Sequence, residues 1–164
     1  MGDYKAAVPV ELQKPKGKRP EKRRVLFVCT HNSARSQMAE AILRHLFGER
    51  YEAYSAGTEP STVHPFAIKV MEEIGIDISR QRSKGIDEFT EMRFDVVATV
   101  CDKAKENCPY IPGAKSYLHM GFPDPSSAPG NEGQRLDEFR KVRDAIKDWM
   151  AKTFGSDTLI SLSV

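Results

Sequence analysis

The sequence predicts an α/β fold of three layers, a four-stranded parallel sheet with helices on both faces. Three observations predict it. The first strand-length segment is apolar throughout, as a strand buried on both faces must be. The segments that follow carry broad apolar stripes at helical spacing, the mark of helices packed on a sheet. Strand-like and helix-like segments then alternate along the chain, which favours parallel pairing with crossover helices.

The folded part is expected to begin near Arg24. Val25, Leu26, Phe27 and Val28 form the first strand, over 25–28. From Ala34 the period changes. Met38, Ile42 and Leu46 make one row, and Ala39, Leu43 and Phe47 an adjacent one, with Gly48 as the stop. Residues 51–56 read as a second strand closed by Gly57. Residues 64–74 read as a second helix, with Pro65 in its first turn and Gly75 just past its end. The segment FDVVATV (94–100) is the clearest strand, and 115–118 is a weaker one. Leu136, Phe139, Val142, Ile146, Trp149 and Met150 then mark a long last helix over 134–154.

At 164 residues the chain is expected to hold one domain, since domains run to roughly 100–200 residues. That domain is assigned to 24–154, between an arm at 1–23 and a tail at 155–164. Apolar residues make up 40% and charged residues 29%, enough for a packed core and too apolar for disorder throughout. The longest clearly apolar run is 25–28, far short of the roughly 20 residues of a membrane span. The basic N-terminus leads into no apolar stretch of the kind a secretory signal needs. Three cysteines are too few for a disulfide scaffold and odd in number, so they are expected to be cytoplasmic, reactive thiols. Charge is uneven: residues 1–24 carry +5 and the remainder −3. The basic segment KPKGKRPEKRR (14–24) has no interleaved aromatics, so the arm is read as disordered and solvated, and no function, nucleic-acid binding included, is assigned to it. A monomer is expected.

Sites in open parallel sheets form at the carboxyl ends of strands. Cys29 directly follows the first strand, Cys101 follows the FDVVATV strand, and Asp124 lies just past the fourth. Three chemically capable residues therefore share one edge. The first loop reads Cys29, Thr30, His31, Asn32, Ser33, Ala34, Arg35, Ser36, or C-x5-R-S, between a strand and a helix start. A helix N-terminus presents unpaired N–H groups and partial positive charge, a seat for a tetrahedral oxyanion. Arg35 adds a planar fork that grips two oxygens. The same positive field favours a thiolate at Cys29. Ser36 is placed to donate to that sulfur, and Asn32 to brace the loop. Taken singly, Cys29 fits a small buried hydrophobe and Arg35 a surface charge; together, at this spacing, they point to an anion-binding nucleophile.

VLFVCTHNSARSQMAE resembles the low-molecular-weight protein tyrosine phosphatase superfamily, and its arsenate reductase branch in particular. SAGTEP, IGIDIS, TVCDKAKENCP and GFPDP are similar to further segments of that branch. The resemblance implies the low-molecular-weight phosphatase fold and an order of events. Cys29 attacks arsenate, Cys101 attacks Cys29, and Cys108 attacks Cys101. Thioredoxin, a glutaredoxin or another thiol then reduces the Cys101–Cys108 disulfide, and no bound cofactor is needed. It also implies that Asp124, stiffened between Pro123 and Pro125, acts as general acid. In some relatives a potassium ion lies near the loop at positions matching Asn32, Glu40 and Ser55. The remaining, acidic position is read here as Lys84, whose ammonium would replace the cation. His31 and Ala34 stand where close relatives often have Gly and Cys. His45, His64 and His119 have no ligand-like spacing and are read as structural or exposed.

The spacing of Cys101 and Cys108 makes its own prediction. If 102–107 were helical, their Cα atoms would lie about 10.5 Å apart. A disulfide needs them within about 7 Å, so 102–109 must unwind or loop out on oxidation. A C-x6-C pair without further ligands suits zinc poorly, and no metal is assigned. Two other functions fit the loop. One is a phosphotyrosine phosphatase whose extra cysteines protect Cys29 from overoxidation. The other is a sensor of oxyanions or redox state that does no chemistry.

Overall fold

A computed structural model of the chain describes residues 21–108, 111 and 113–156. Most of the arm expected at 1–23 and of the tail at 155–164 lies outside the described residues. The sheet has four strands, β1 (Arg23–Cys29), β2 (Tyr51–Gly57), β3 (Val96–Thr99) and β4 (Ser116–His119), in the spatial order β2-β1-β3-β4. All three pairings are parallel. The helices are α1 (Arg35–Phe47), α2 (Pro65–Glu72), α3 (Asp102–Asn107) and α4 (Glu132–Phe154).

β1 is central because both of its faces are apolar. Val25 to Val28 are fully buried, and β1 pairs with β2 on one side and β3 on the other. The register sets Val28 beside both Ala56 and Thr99. Cys29 and Cys101 therefore leave the sheet at the same edge, on adjacent strands. α1 buries Met38, Ile42, Ala39 and Leu43 against the sheet. Leu46, expected in that stripe, is 37% exposed, while its neighbour Phe47 still packs against the core, so the last turn of the helix points the Leu46 row away from it. α4 is clamped at its start by a capping box, with Asn131 accepting from the Gln134 N–H and Gln134 accepting from the Asn131 N–H. It adds Phe139, Ile146, Met150 and Phe154 to the core, where Phe154 meets Phe27, Tyr51 and Trp149 edge to face.

Several boundaries differ from the sequence reading. The second helix ends at Glu72 rather than at 74, because Gly75 takes φ +82° and the chain closes in a tight turn onto Met71. β3 is four residues long; Phe94 and Asp95 sit before the ladder begins. β4 is displaced one residue onward, and α4 starts two residues earlier than 134. No described helix is long and apolar enough to cross a membrane.

Candidate active site

The anion loop is an open helix start. Ala34 occupies the N-cap position of α1, and its side chain cannot accept a hydrogen bond. The first-turn N–H groups and the positive helix end are thus offered to the cleft. The cleft holds about 60 Å³ and is lined by Cys29, His31, Ser33, Ala34, Arg35, Ser61, Asp124 and Ser126. That is room for a small anion in place of a few waters. The Arg35 guanidinium is anchored at one end, where Nη1 donates to the Phe122 carbonyl at 3.1 Å. Its Nη2 lies 3.9 Å from Asp124 Oδ1.

Hydrogen bonds around Asn32 fix which way the protons point. Asn32 is fully buried with φ +50°, a left-handed position that asparagine tolerates better than most residues. The Lys84 backbone N–H can only donate, and it meets Asn32 Oδ1 at 2.8 Å. The amide nitrogen therefore faces Ser36, donating to Oγ at 2.8 Å. Ser36 Oγ accepts from Asn32, and its own hydrogen is free for a Cys29 thiolate, whose Sγ is also 2.8 Å away. The donors run in one direction, from the Lys84 N–H through Asn32 and Ser36, and end on the sulfur. Such a chain supports negative charge there.

Gln37, which the sequence reading did not single out, locks the same loop. It is fully buried and donates to the Asn32 carbonyl, Asn32 Oδ1 and the Arg82 carbonyl, while Gln81 Nε2 donates to its Oε1 at 2.6 Å. A polar residue in a helix ordinarily reads as solvent-facing, and only the fold reveals these partners. Gly57 forms the floor: a Cβ there would fall 2.6 Å from the Thr30 oxygen and 2.8 Å from the Asn32 nitrogen.

Asp124 is held by a turn. Pro125 starts a short 3-10 helix, and the carboxylate accepts from the Ser126 N–H, the Ser126 hydroxyl and the Ser127 hydroxyl. Partial burial alone would push its pKa up. The Ser126 hydrogen bonds, with Arg35 and Ser127, outweigh that and hold it below the usual aspartate value. The resting carboxyl is therefore ionised at neutral pH, able to take a proton before it gives one.

All three cysteines are free thiols. Cys101 caps α3, its sulfur accepting from the Ala104 N–H at 3.3 Å, and it is as buried as Cys29. The same sulfur lies 3.4 Å from Thr30 Oγ1, one residue on from Cys29. Cys108 ends α3 and is half-buried; burial pushes its thiol pKa up. The intervening residues are helical, so this is the arrangement that excludes a Cys101–Cys108 bond.

Residues 24–159 match the family described as Low molecular weight phosphotyrosine protein phosphatase. The chain belongs to that family. An arsenate reductase of Halalkalibacterium halodurans is 45% identical over 125 residues, covering 76% of this chain and 90% of that one. An arsenate reductase of Bacillus subtilis is 42% identical over 126 residues, covering 77% and 91%. Among solved structures, an arsenate reductase in the oxidized state superposes with a TM-score of 0.67 at 34% identity, covering 87% of this chain and 99% of that one.

In this member of the low-molecular-weight phosphatase family a lysine fills the space behind the loop. Lys84 Nζ lies 3.6 Å from Glu40 Oε1 and 3.5 Å from Ser55 Oγ, and Ser55 donates to Glu40 at 2.5 Å. The Lys84 side chain is 14% exposed, not a surface charge. Its burial lowers its pKa, against the pull of Glu40. Arg44 closes the outer side with Nη2 2.7 Å from Glu40 Oε2. Of the histidines, His64 caps α2 by accepting from the Phe66 N–H, and His119 bonds to both Thr99 and Asp102.

Proposed function

We propose that this chain reduces arsenate to arsenite by passing one electron pair along three cysteines. Cys29 attacks arsenic and displaces a hydroxide or water, forming a sulfur–arsenic bond. Cys101 then attacks Cys29 Sγ. A Cys29–Cys101 disulfide forms, the sulfur–arsenic bond breaks, and its electron pair leaves with arsenic as arsenite. Cys108 attacks Cys101, releasing Cys29 as a thiolate and leaving a Cys101–Cys108 disulfide. A dithiol such as thioredoxin restores both thiols at the cost of its own oxidation. The observation that carries this reading is the place of the second sulfur, against Thr30 at the edge where Cys29 emerges. Phosphoester hydrolysis alone uses no such sulfur. The arsenate reductase names of the relatives support it.

The geometry supports a role for each site residue. Arg35 and the open α1 terminus bind the oxyanion, and Ser36 and Asn32 stabilise the Cys29 thiolate. Asp124 starts as a base, takes a proton on binding or attack, and returns it to the departing oxygen. Lys84 serves as the built-in cation beside Glu40 and Ser55. The working unit is 24–154, flanked by the arm and tail, and acts as a cytoplasmic monomer. Residual phosphatase activity is expected from the same loop.

The test couples arsenate reduction to NADPH oxidation through thioredoxin and its reductase, beside hydrolysis of p-nitrophenyl phosphate. Cys29→Ser abolishes both. Cys101→Ser abolishes arsenate turnover and leaves hydrolysis largely intact. Arsenate turnover that survives Cys101→Ser refutes the relay.

A further inference from the structure

If Cys101 and Cys108 are to bond, α3 must open, and which end moves matters. Cys101 is bonded to Cys29 at the moment Cys108 attacks it, on the relay reading above. A Cys101 that drifted outward would have to drag Cys29 from the buried end of β1. The cheaper course keeps Cys101 still and brings Cys108 to it.

The structure contains a fastening at that end. Asp102, the first residue of α3, has Oδ1 2.8 Å from His119 Nε2. His119 Nδ1 in turn lies 2.8 Å from Thr99 Oγ1. Thr99 and His119 are register partners at the ends of β3 and β4. Asp102, His119 and Thr99 thus tie the start of α3 to two adjacent strands. A carboxylate only accepts, so Nε2 carries a hydrogen. Nδ1 then accepts from the Thr99 hydroxyl, or donates to it if the ring is charged. In the second case the Thr99 hydroxyl turns to the Leu118 carbonyl, 3.5 Å away. The tie survives either state. Gly121 completes it: a Cβ there would collide with Asp102 Oδ1, so the bare backbone leaves the carboxylate its place.

We propose that Asp102 and His119 are positioning residues that pin the Cys101 end of α3 to the sheet, so that the helix opens from its Cys108 end alone. The inference rests on the three-cysteine relay and deepens it. An aspartate in the first turn also favours a helix by itself, through the helix dipole. That effect would be independent of His119, and a tie would not be.

The test uses the Cys108→Ser chain, in which the reaction halts at the Cys29–Cys101 disulfide. Arsenate is added and the disulfide is followed by quenched-flow mass spectrometry. Asp102→Ala and His119→Gln should each slow its formation about two- to fivefold, the loss of one hydrogen bond to a largely exposed carboxylate. The double variant should be no slower than either single one. Asp102→Asn, whose amide oxygen still accepts from Nε2, should recover most of the rate. The arsenate concentration that gives half the maximal rate of disulfide formation should stay within threefold. Unchanged rates, or slowing that multiplies in the double variant, overturns the proposal. If the parent Cys108→Ser chain forms no Cys29–Cys101 disulfide, the relay itself is wrong, and the proposal goes with it. Hydrogen exchange in 103–107 gives a second reading on folded protein: the tie predicts faster exchange in both single variants.

Discussion

Replacing Asn32 with aspartate tests the directed chain of donors behind Cys29. The substitution keeps the shape of the side chain and the acceptor that meets the Lys84 N–H and Gln37 Nε2. It converts the group facing Ser36 from a donor into an acceptor. Ser36 has one hydroxyl hydrogen, and the new carboxylate competes with the sulfur for it. Cys29 Sγ then loses the partner it has at 2.8 Å. A hydrogen bond to a charged group contributes about 1.5–3 kcal/mol, which corresponds to roughly a 10- to 150-fold change in rate. The fresh negative charge beside the loop adds to the loss. Iodoacetamide alkylation of Cys29 at pH 7, followed by mass spectrometry in a Cys101→Ser, Cys108→Ser background, measures it. Alkylation and p-nitrophenyl phosphate hydrolysis should both fall at least tenfold, while the folded state persists. Rates within twofold of the parent would show that Ser36 does not donate to the sulfur, and the assignment of proton directions would fail.

Two further expectations concern charge elsewhere. Lys84→Met leaves Glu40 with Ser55 and the outer Arg44; because those two partners remain, the chain should lose about 1–3 kcal/mol, less than the roughly 3–5 kcal/mol of a buried charge stripped of its partner. Potassium chloride, against choline chloride, should raise the melting temperature of this variant and leave the parent unmoved; an equal response in both counts against Lys84 as a cation substitute. Glu73, gripped by hydrogen bonds from Arg140 and also by Arg143, has its pKa lowered from 4.5 to about 2. The unfolded chain binds that proton more tightly, so the contribution is full above about pH 4.5 and is lost as pH falls toward 2. Urea midpoints across that window should decline less steeply in Glu73→Gln; parallel slopes would place the acid sensitivity elsewhere.

The sheet and the reactive edge were legible because burial leaves a periodic trace. Val25 to Val28 announce a central strand through an unbroken apolar run. Met38 and Ile42 announce α1 through their spacing. The spacing fails where it outlasts the hydrogen bonds. Ile74 continues the apolar row of α2 yet sits in the turn that follows it, its N–H on the Met71 carbonyl. The 3-10 helices at Ile86–Phe89 and Pro125–Ser127 are too short to show a period. The chemistry of the loop was readable from residue types at fixed offsets, because Cys29, Arg35 and Ser36 belong to one local turn. Partners brought together by folding left no such trace. Gln37 and Gln81 are 44 positions apart, and Asp102 and His119 are 17 apart. Lys84 was located by analogy alone, since nothing in its neighbours marks a buried ammonium.

Gly57 limits how this pocket can be remade. The ceiling of the catalytic cup is set by the loop, but its foundation belongs to another strand. Even one methyl group at position 57 would press on the Thr30 oxygen, the His31 carbonyl carbon and the Asn32 nitrogen together. An engineer wishing to admit a bulkier oxyanion gains little by trimming the cup alone, and risks toppling it by decorating the ground beneath.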